Sequence, residues 1–354
     1  MPYDLGGVIM HELAPVVGLV GFGFAARTLH LPLIASAGMS VGAILTRQAA
    51  AAQAALPAAR VVADMPSLLA VKPLDLVVIA TPNHLHAPQG LAALAAGKHV
   101  VIDKPLALSA REAGALMEAA GQHERRLAVF QNRRWDSDFL TLRRIVAEHR
   151  LGTLHSFEAR WDRYRPAVPD RWRERAEYGG GVLFDLGSHL IDQALCLFGM
   201  PQWLEAQVLA QRRGAAVDDG FEIRMGRDEL RITLGAGSLV ADNALRYRLH
   251  GSEASYRKAG LDVQEQQLRA GLSPLDPIFG IEPASQWGRL VRGESGSEEP
   301  IAAERGCWRE FYVSMRHSIE TGSAVPVDAA QARNVLHLIE AARRSSATAC
   351  RVSL

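Results

Sequence analysis

Apolar runs and helix-periodic segments alternate along the first 130 residues of the chain. Continuous apolar runs occupy residues 16–20, 41–45, 60–62, 74–80, 99–102 and 127–130, and helical patterns lie between several of them, including 49–56 and 89–96. Because apolar residues follow one another in these runs and do not alternate with polar ones, the runs predict strands that are covered on both faces, as in parallel sheets. The order therefore predicts an α/β domain built on a doubly wound parallel sheet.

The pattern changes after residue 150. Segments 154–161, 204–211, 221–225, 230–234 and 246–250 contain β-branched or aromatic residues and predict strands. Segments 307–319 and 330–346 predict helices, and 351–354 predicts an edge strand. Strands that follow one another after a set of βαβ units predict a second domain of α+β type. We therefore divide the chain into residues 1–131 and 132–354.

Residues 179–199 combine glycines, apolar residues and a few regularly spaced polar residues. Three glycines open the stretch and suit a tight bend or a close approach of the backbone to a ligand. The apolar run that follows predicts a buried helix on which Asp185, His189 and Asp192, at i, i+4 and i+7, share one face. Burying a carboxylate and an imidazole on such a helix costs free energy unless each is paired with a partner or takes part in the chemistry of a site.

Three interpretations of this face are open. Asp185 and His189 can satisfy each other inside a core. They can also be ligands of a metal ion, since carboxylate and imidazole suit one, although nothing else in the stretch demands it. Finally, His189 can exchange a proton with a substrate while Asp185 orients the ring.

Composition narrows the classes of partner. The chain has 354 residues, is 48% hydrophobic and carries a formal net charge of +1, which fits a soluble two-domain protein and argues against a nucleic-acid partner. No apolar stretch approaches the length of a membrane span, and the N-terminal segment lacks the pattern of a signal peptide. The three cysteines are typical of reduced thiols and favour a cytoplasmic location: Cys196, Cys307 and Cys350.

A dinucleotide-binding fingerprint follows the first predicted strand: Gly21-Phe22-Gly23-Phe24-Ala25-Ala26. Gly21 permits the tight turn, Gly23 lets backbone N–H groups reach the pyrophosphate, and Ala26 is small enough for packing of helix on strand. Because the string lies between a predicted strand and a predicted helix, it predicts a nicotinamide dinucleotide cofactor.

The end of the second strand indicates which nicotinamide cofactor binds. NAD enzymes place an acid there for the ribose 2′-hydroxyl, but this strand ends in Thr46-Arg47 and no acid appears before Asp64. A guanidinium pairs with phosphate through two parallel hydrogen bonds. The sequence therefore predicts NADP.

Two further loops leave the carboxyl ends of predicted strands, where ligands bind in such sheets. The first contains Thr81, Pro82, Asn83 and His86, and the second is Asp103-Lys104-Pro105. Lys104 would lie at the mouth of the cofactor cleft, which makes it a candidate donor to a substrate oxygen.

The fingerprint, the lysine loop and the helix with Asp185 and His189, in this order, resemble the Gfo/Idh/MocA family of oxidoreductases over nearly everything after residue 15. Within the family the chain is similar to NADP-linked scyllo-inositol dehydrogenases, through the strings Asn132-Arg133-Arg134-Trp135-Asp136, Arg163-Tyr164-Arg165-Pro166, Arg171-Trp172-Arg173-Glu174 and FDLGSHLIDQ at 184–193. It departs from them at Asp103, where the family usually has Glu, and over residues 274–288.

The resemblance implies a Rossmann domain followed by a domain with an open, mainly antiparallel sheet that often pairs subunits. It implies that Lys104, Asp185 and His189 form the catalytic group, and that these three and Tyr164 contact the substrate. It further implies cofactor contacts from Thr46, Arg47, Trp172 and Arg173, and makes Asn132 and Arg134 plausible contacts in the cleft.

These expectations combine into an NADP-dependent dehydrogenase of a cyclic polyol or sugar, with scyllo-inositol or its ketone as the first choice and no metal. Reduction of another sugar ketone or dicarbonyl is an alternative within enzymes, and a non-catalytic NADP-sensing regulator is an alternative outside them. We also expect a homodimer or homotetramer, because an open sheet has an apolar face to cover.

Overall fold

The first domain is a six-stranded parallel sheet, seen in a computed structural model that describes residues 14–354. Residues 1–13, most of the segment for which no signal peptide is predicted, lie outside the described residues. The sheet has the order β3-β2-β1-β4-β5-β6. Its strands are β1 (Val16–Val20), β2 (Ser40–Leu45), β3 (Arg60–Val62), β4 (Leu76–Ile79), β5 (His99–Asp103) and β6 (Leu127–Phe130). The predicted parallel sheet is confirmed, and strand order reverses between β1 and β4, where ligands bind in this class of sheet.

Five helices connect these strands: α1 (Leu31–Ser36), α2 (Ala49–Ala55), α3 (Met65–Leu69), α4 (His86–Ala95) and α5 (Ala110–Gln122). At the start of α5 the Ser109 side chain accepts a hydrogen bond from the Glu112 backbone N–H at 3.2 Å, and the Glu112 carboxylate accepts from Leu108 N–H at 2.9 Å. The two hydrogen bonds satisfy backbone N–H groups that have no partner within the helix. In the usual capping box the glutamate accepts from the N-cap residue, whereas here it accepts from the residue before it.

The second domain is a nine-stranded sheet of order β14-β13-β12-β11-β7-β10-β9-β8-β15. Every pairing in it is antiparallel except β7 with β10. Its strands are β7 (Leu154–Arg160), β8 (Trp203–Leu209), β9 (Gly220–Arg227), β10 (Leu230–Gly237), β11 (Leu245–Gly251), β12 (Ala254–Ala259), β13 (Gly288–Arg292), β14 (Glu298–Ile301) and β15 (Val352–Ser353).

Five helices accompany this sheet: α6 (Ser137–Ala147), α7 (Ser188–Phe198), α8 (Gln264–Arg269), α9 (Arg309–Thr321) and α10 (Ala329–Thr348). Helices α7 and α10 pack on one face of the sheet. By length and composition alone, the segment Ala176–Phe198, which includes the three glycines, could cross a membrane, so the prediction that no stretch approaches that length is wrong. Because 67% of its apolar window is buried, its apolarity fits the core of this fold.

The other face of the large sheet is polar. Glu205, Arg224, Glu158 and Arg248 follow one another in register across β8, β9, β7 and β11, with Thr233 of β10 between Arg224 and Glu158. Arg248 reaches Glu158 at 3.6 Å. The expectation of an apolar face that a partner must cover is therefore wrong, because the outward positions alternate charges of both signs.

The last two long helices return to the first domain. Val129 N–H of β6 donates to Val327 O at 3.2 Å, and Glu340 of α10 accepts from Ala110 N–H at 2.8 Å. In α9, the Tyr312 hydroxyl lies 2.6 Å from His30 Nδ1. Division at residue 131 separates the two sheets, but residues 309–348 cover both of them.

Candidate active site

The turn after β1 has the backbone that a dinucleotide requires. Gly21 has φ of +97°, and a Cβ there would lie 2.6 Å from Ala80 O, so only glycine fits. A Cβ on Gly23 would meet nothing within 4 Å, which leaves its backbone open to a ligand. Ala26 is fully buried and packs in the core, as its fingerprint position predicts. The residues present therefore fit a dinucleotide pyrophosphate.

A cavity of about 1020 Å³ runs along the carboxyl ends of the parallel strands. Fourteen predicted site residues line it: Gly21, Phe22, Gly23, Phe24, Ala25, Thr46, Arg47, Thr81, Pro82, Asn83, Asp103, Lys104, Trp172 and Arg173. Four polar or aromatic residues that line it were not predicted: Gln48, His84, Gln89 and Tyr178.

The triple glycine closes one side of this cavity. Gly179 and Gly181 have φ of +71° and +111°, and Asn83 Nδ2 donates to Gly179 O at 2.8 Å. A Cβ on Gly180 would lie 2.3 Å from Arg173 O. The predicted bend is therefore present, and it brings the Trp172–Arg173 segment against the loop after β4.

His86 supports the loops rather than lining the cavity. Its two ring nitrogens lie 2.7 Å from Pro105 O and 2.9 Å from Thr81 O, so one buried ring joins the two predicted loops. Burial lowers the pKa of His86, although both carbonyls favour the protonated ring. The prediction that His86 contacts the cofactor is wrong, because both of its ring nitrogens are engaged by these two carbonyls and the ring does not line the cavity. His86 instead holds the two loops together.

Three other predicted residues also lie away from the cavity. Arg134 makes two hydrogen bonds to Asp192, at 2.8 and 2.6 Å, and is therefore engaged in an ion pair instead of the cleft. Asn132 is buried in the turn after β6. Tyr164 is 60% exposed and forms a bridge to Leu239.

Lys104 and Asp185 meet across the two domains. Lys104 Nζ donates to the Asp185 carboxylate at 3.0 Å and to the Asp185 backbone O at 2.5 Å, and Arg173 approaches the same carboxylate at 3.5 Å. Burial raises the pKa of Asp185, but Lys104, Arg173 and Arg163 outweigh it and hold this pKa far below its usual range. An ammonium has three protons, so one remains for a substrate oxygen.

His189 takes its orientation from Gln131. Its Nδ1 lies 3.1 Å from Gln131 Oε1, whereas within residues 14–354 no hydrogen bond joins it to Asp185. Because the amide oxygen only accepts, Nδ1 carries the proton and Nε2 holds the free lone pair. Two expectations are therefore wrong: that Asp185 fixes the imidazole, and that Asp185 and His189 satisfy each other inside a core. The Asp185 carboxylate binds Lys104 instead.

The surroundings keep His189 neutral. Its ring centroid is 5.7 Å from that of Trp161. Burial lowers the pKa of His189 well below 6.5, and the positive charges of Lys104, Arg133 and Arg246 act in the same direction, against Asp185. A neutral imidazole with a free Nε2 is suited to accept a proton.

The metal interpretation lacks a ligand set. Among the residues that the structure describes, no group of three or more His, Cys, Asp or Glu converges as metal ligands do. Asp185, His189 and Asp192 each turn to a different partner: Lys104, Gln131 and Arg134.

Sequence reasoning missed Gln131 and Trp161. Gln131 directly follows β6 at the carboxyl end of a parallel strand, the same signal that identified Lys104. Trp161 directly follows β7, but nothing in the sequence connects that strand end to the cofactor cleft.

Both domains match families of known proteins. Residues 16–131 match the family model described as oxidoreductase family, NAD-binding Rossmann fold, and residues 143–354 match the C-terminal alpha/beta domain of the same family. The chain is 38% identical over 333 residues to scyllo-inositol 2-dehydrogenase (NADP(+)) IolW of Bacillus subtilis, covering 93% of each chain.

Two further relatives give the same result. The uncharacterised oxidoreductase YdgJ of Escherichia coli is 40% identical over 328 residues, covering 92% of this chain and 94% of its own. The solved structure of the oxidoreductase yvaA from Bacillus subtilis superimposes with a TM-score of 0.93 at 36% identity, over 96% of this chain and 98% of that one. Since both of its domains match, the chain belongs to the Gfo/Idh/MocA family of oxidoreductases.

Proposed function

We propose that this protein is an NADP-dependent dehydrogenase that transfers a hydride between the nicotinamide and a ring carbon of a cyclic polyol or sugar. The observation that carries the proposal is that Lys104 lines the dinucleotide cavity while its Nζ binds Asp185, four residues before the buried, neutral His189, on whose ring the Lys104 charge also acts. Scyllo-inositol and its ketone are the first compounds to test, because one relative is named for that reaction.

The cofactor would be held by the glycine turn, the Thr81–Asn83 loop and the Thr46-Arg47 pair, and when bound it supplies the hydride acceptor. Arg47 is exposed at the cavity wall and, in the described residues, makes no ion pair, so its guanidinium is available to a 2′-phosphate. Thr46 Oγ1 accepts from Gln48 N–H at 3.0 Å, which fixes this corner of the cavity.

In the oxidation direction, the Nε2 lone pair of His189 accepts the proton of the substrate hydroxyl. The third proton of Lys104 hydrogen-bonds the same oxygen and stabilises the negative charge that develops on it. Asp185 holds Lys104 at this position through the two contacts at 3.0 and 2.5 Å. Gln131 fixes the His189 tautomer through Nδ1. In reduction, the same groups return the proton to the carbonyl oxygen.

A turnover screen of inositols, aldoses, ketoses and dicarbonyls with both cofactors, followed through NADPH absorbance, tests the proposal. Oxidation of a polyol with NADP contradicts a purely sensing role. Turnover only with ketones or dicarbonyls would shift the assignment to the reductase alternative. The absence of any turnover, together with tight NADPH binding, would favour the regulator.

Cofactor selectivity is tested with Arg47→Asp. We expect NADP affinity to fall by about 10- to 150-fold, the effect of losing 1.5–3 kcal/mol of charged hydrogen bond, and NAD affinity to rise or stay unchanged. Arg60→Asp, an exposed position on β3 outside the cavity, is the charge-matched control. Equal affinity of the wild type for both cofactors would contradict the assignment.

We further propose a cytoplasmic location, which the three free thiols support: Cys196, Cys307 and Cys350.

A further inference from the structure

Arg163 and Arg165 lie on an extended segment that continues β7. Their backbone N–H groups donate to Gly237 O at 2.8 Å and to Ser238 O at 2.7 Å. Side chains two residues apart on an extended backbone lie on the same side, and the side chain between them, Tyr164, lies on the opposite one. The two guanidinium groups are therefore presented together.

Both arginines line two neighbouring cavities. The smaller holds about 20 Å³ and includes Asp185 of the catalytic group in its wall. The larger holds about 690 Å³ and includes Arg133 and Trp161. Since Trp161 also packs beside the His189 ring, the pair of arginines lies at the border of the reaction site.

The carboxylates that line these cavities already have partners. Asp185 binds Lys104, Asp162 binds Arg160, Glu265 binds Arg133, Glu174 binds Arg212, Asp262 accepts backbone N–H groups of Ser137 and Gln264, and Asp218 accepts from Leu183 N–H. By contrast, across residues 14–354 neither Arg163 nor Arg165 has an ion-pair or hydrogen-bond partner for its guanidinium. Among the described residues, the Arg163 guanidinium makes a cation–π contact, 5.6 Å from the centroid of the Trp161 ring, and Arg165 makes none.

Arg163 is also partly removed from water. Burial lowers the pKa of Arg163, and the nearby charges of Arg165 and Arg133 add to this, against Asp185 and Glu265. A guanidinium that is desolvated and faces like charges costs free energy unless an anion compensates it. Within the described residues the opposing charges, Asp185 and Glu265, are already bound to Lys104 and Arg133. An anionic ligand would therefore give Arg163 a counter-charge of its own, and the exposed Arg165 beside it is free to bind the same group.

We propose that the substrate of this enzyme carries an anionic group, a carboxylate or a phosphate, which Arg163 and Arg165 bind while the ring carbon faces Lys104 and His189. The inference rests on the proposed function and narrows its substrate class from polyols and sugars to their acids or phosphates. Planar guanidinium groups bind both anions through paired hydrogen bonds, and each such bond is stronger than its neutral equivalent.

The test compares compounds with one ring and different substituents: D-glucose, D-glucuronate and D-glucose 6-phosphate. Turnover and KM with NADP are measured, and each compound is also titrated into the enzyme–NADP complex by calorimetry. The variants are Arg163→Gln, Arg165→Gln and the control Arg248→Gln, which removes one exposed charge from β11 outside both cavities.

We expect at least one anionic compound to bind more tightly than glucose. In Arg163→Gln its KM and dissociation constant should rise about 10- to 150-fold, the equivalent of one lost charged hydrogen bond, while glucose and Arg248→Gln change little. Comparison of D-glucuronate with D-glucose 6-phosphate identifies which anion Arg163 and Arg165 bind. Added salt should weaken anion binding only in enzymes with both arginines.

Equal binding of all three compounds by the wild type would overturn the inference and leave the proposed function intact. So would a variant that loses NADP affinity as strongly as anion affinity, since the arginines would then serve the cofactor. If no compound is oxidised in this or the wider screen, the proposed function fails. The inference about the arginines is then still decided by the titrations.

Discussion

The basicity of His189 depends on the partner of its other nitrogen. Gln131 provides a neutral amide oxygen at 3.1 Å from Nδ1, and its Nε2 donates to Ser188 O at 3.5 Å. A carboxylate at this place would stabilise the imidazolium, whereas the amide orients the ring without adding a charge. The site therefore keeps the imidazole neutral and oriented at the same time.

Replacing Gln131 with Glu tests this role. The added carboxylate should raise the pKa of His189, because an opposite charge in contact favours the protonated ring. In Gln131→Glu the low-pH limb of kcat for oxidation should move to higher pH, since only the free imidazole accepts the proton. Gln131→Leu should lower kcat without that upward shift. An identical pH profile in wild type and Gln131→Glu would contradict the assignment.

His189 and Lys104 act on one oxygen in the proposed mechanism. His189→Asn should lower kcat by about 10²–10⁴-fold, the usual contribution of a positioned proton acceptor, and leave NADP affinity nearly unchanged. Lys104→Met should also be severe, and the two losses should combine less than additively, because both groups serve one transition state.

The control for this pair of variants is His155→Asn on β7, an exposed histidine outside the described cavities. Turnover, melting temperature and NADP affinity are measured on the same preparations. A His189→Asn enzyme that retains most of its activity would return this histidine to a structural role.

At the scale of elements, α7 is connected to the turn after β6 by a nearly buried ion pair. The side chains of Arg134 and Asp192 are 13% and 3% exposed. Asp192→Leu should lower the free energy of unfolding by about 3–5 kcal/mol, because it leaves Arg134 buried without its counter-charge. The double variant Arg134→Met/Asp192→Leu should recover most of this loss, since an apolar pair of similar size needs no compensation.

Urea unfolding followed by circular dichroism measures both effects. Asp192→Leu and the double variant differ only at position 134, so each serves as the control for the other. Equal stability of the two variants would show that the ion pair itself is not what connects α7 to the turn after β6.

The sequence predicts two kinds of element well: strands that are buried on both faces, and segments whose apolar residues recur at a regular spacing. The apolar runs of β1 and β4–β6 identify the first sheet directly, and the glycine turn follows from the backbone that Gly21 requires. Strands β12, β13 and β14 escaped prediction because they are short and polar. In β12 the buried positions include Lys258, whose Nζ is satisfied by Glu282 at 3.1 Å, a contact that the local sequence does not reveal.

The same limit applies to the site. Spacing places Asp185, His189 and Asp192 on one helix face, but their partners Lys104, Gln131 and Arg134 come from loops of the first sheet. Local spacing shows which side chains need partners, whereas the packing of two domains decides which partners they obtain.

For the whole molecule, the buried histidines predict loss of stability in mild acid. Burial lowers the pKa of His86, His189 and His99 below the ordinary value of 6.5, and for His99, with Arg125 and Arg126 nearby, to about 4. The unfolded chain therefore binds more protons than the folded chain just below pH 6.5, so the free energy of unfolding falls as pH decreases through this range. Each such proton contributes a slope of about 1.4 kcal/mol per pH unit.

Urea unfolding at pH 7.5, 6.5 and 5.5 measures this slope. His189→Asn, which removes one of the three groups, should show a shallower dependence than the wild type. A wild-type stability that is constant from pH 7.5 to 5.5 would contradict the prediction.

We propose that the chain forms a homodimer or homotetramer through the polar face of the large sheet. The row of Glu205, Arg224, Glu158 and Arg248 offers charges of both signs to a second copy. Because exposed ion pairs are screened by salt, the assembly should weaken as ionic strength rises. Light scattering at low and high salt tests this, and a monomer at low salt would contradict it.

The return of α9 and α10 to the first domain has a consequence for synthesis. The strand β6 pairs with residue 327, and α10 packs on α5, so the outer edge of the first sheet is completed by chain that the ribosome makes much later than β6. At 5–20 residues per second, the nascent polypeptide carries that uncovered edge for roughly 10–40 s. An unpaired strand edge invites association with other chains, so emerging copies are exposed to aggregation until α10 has been made.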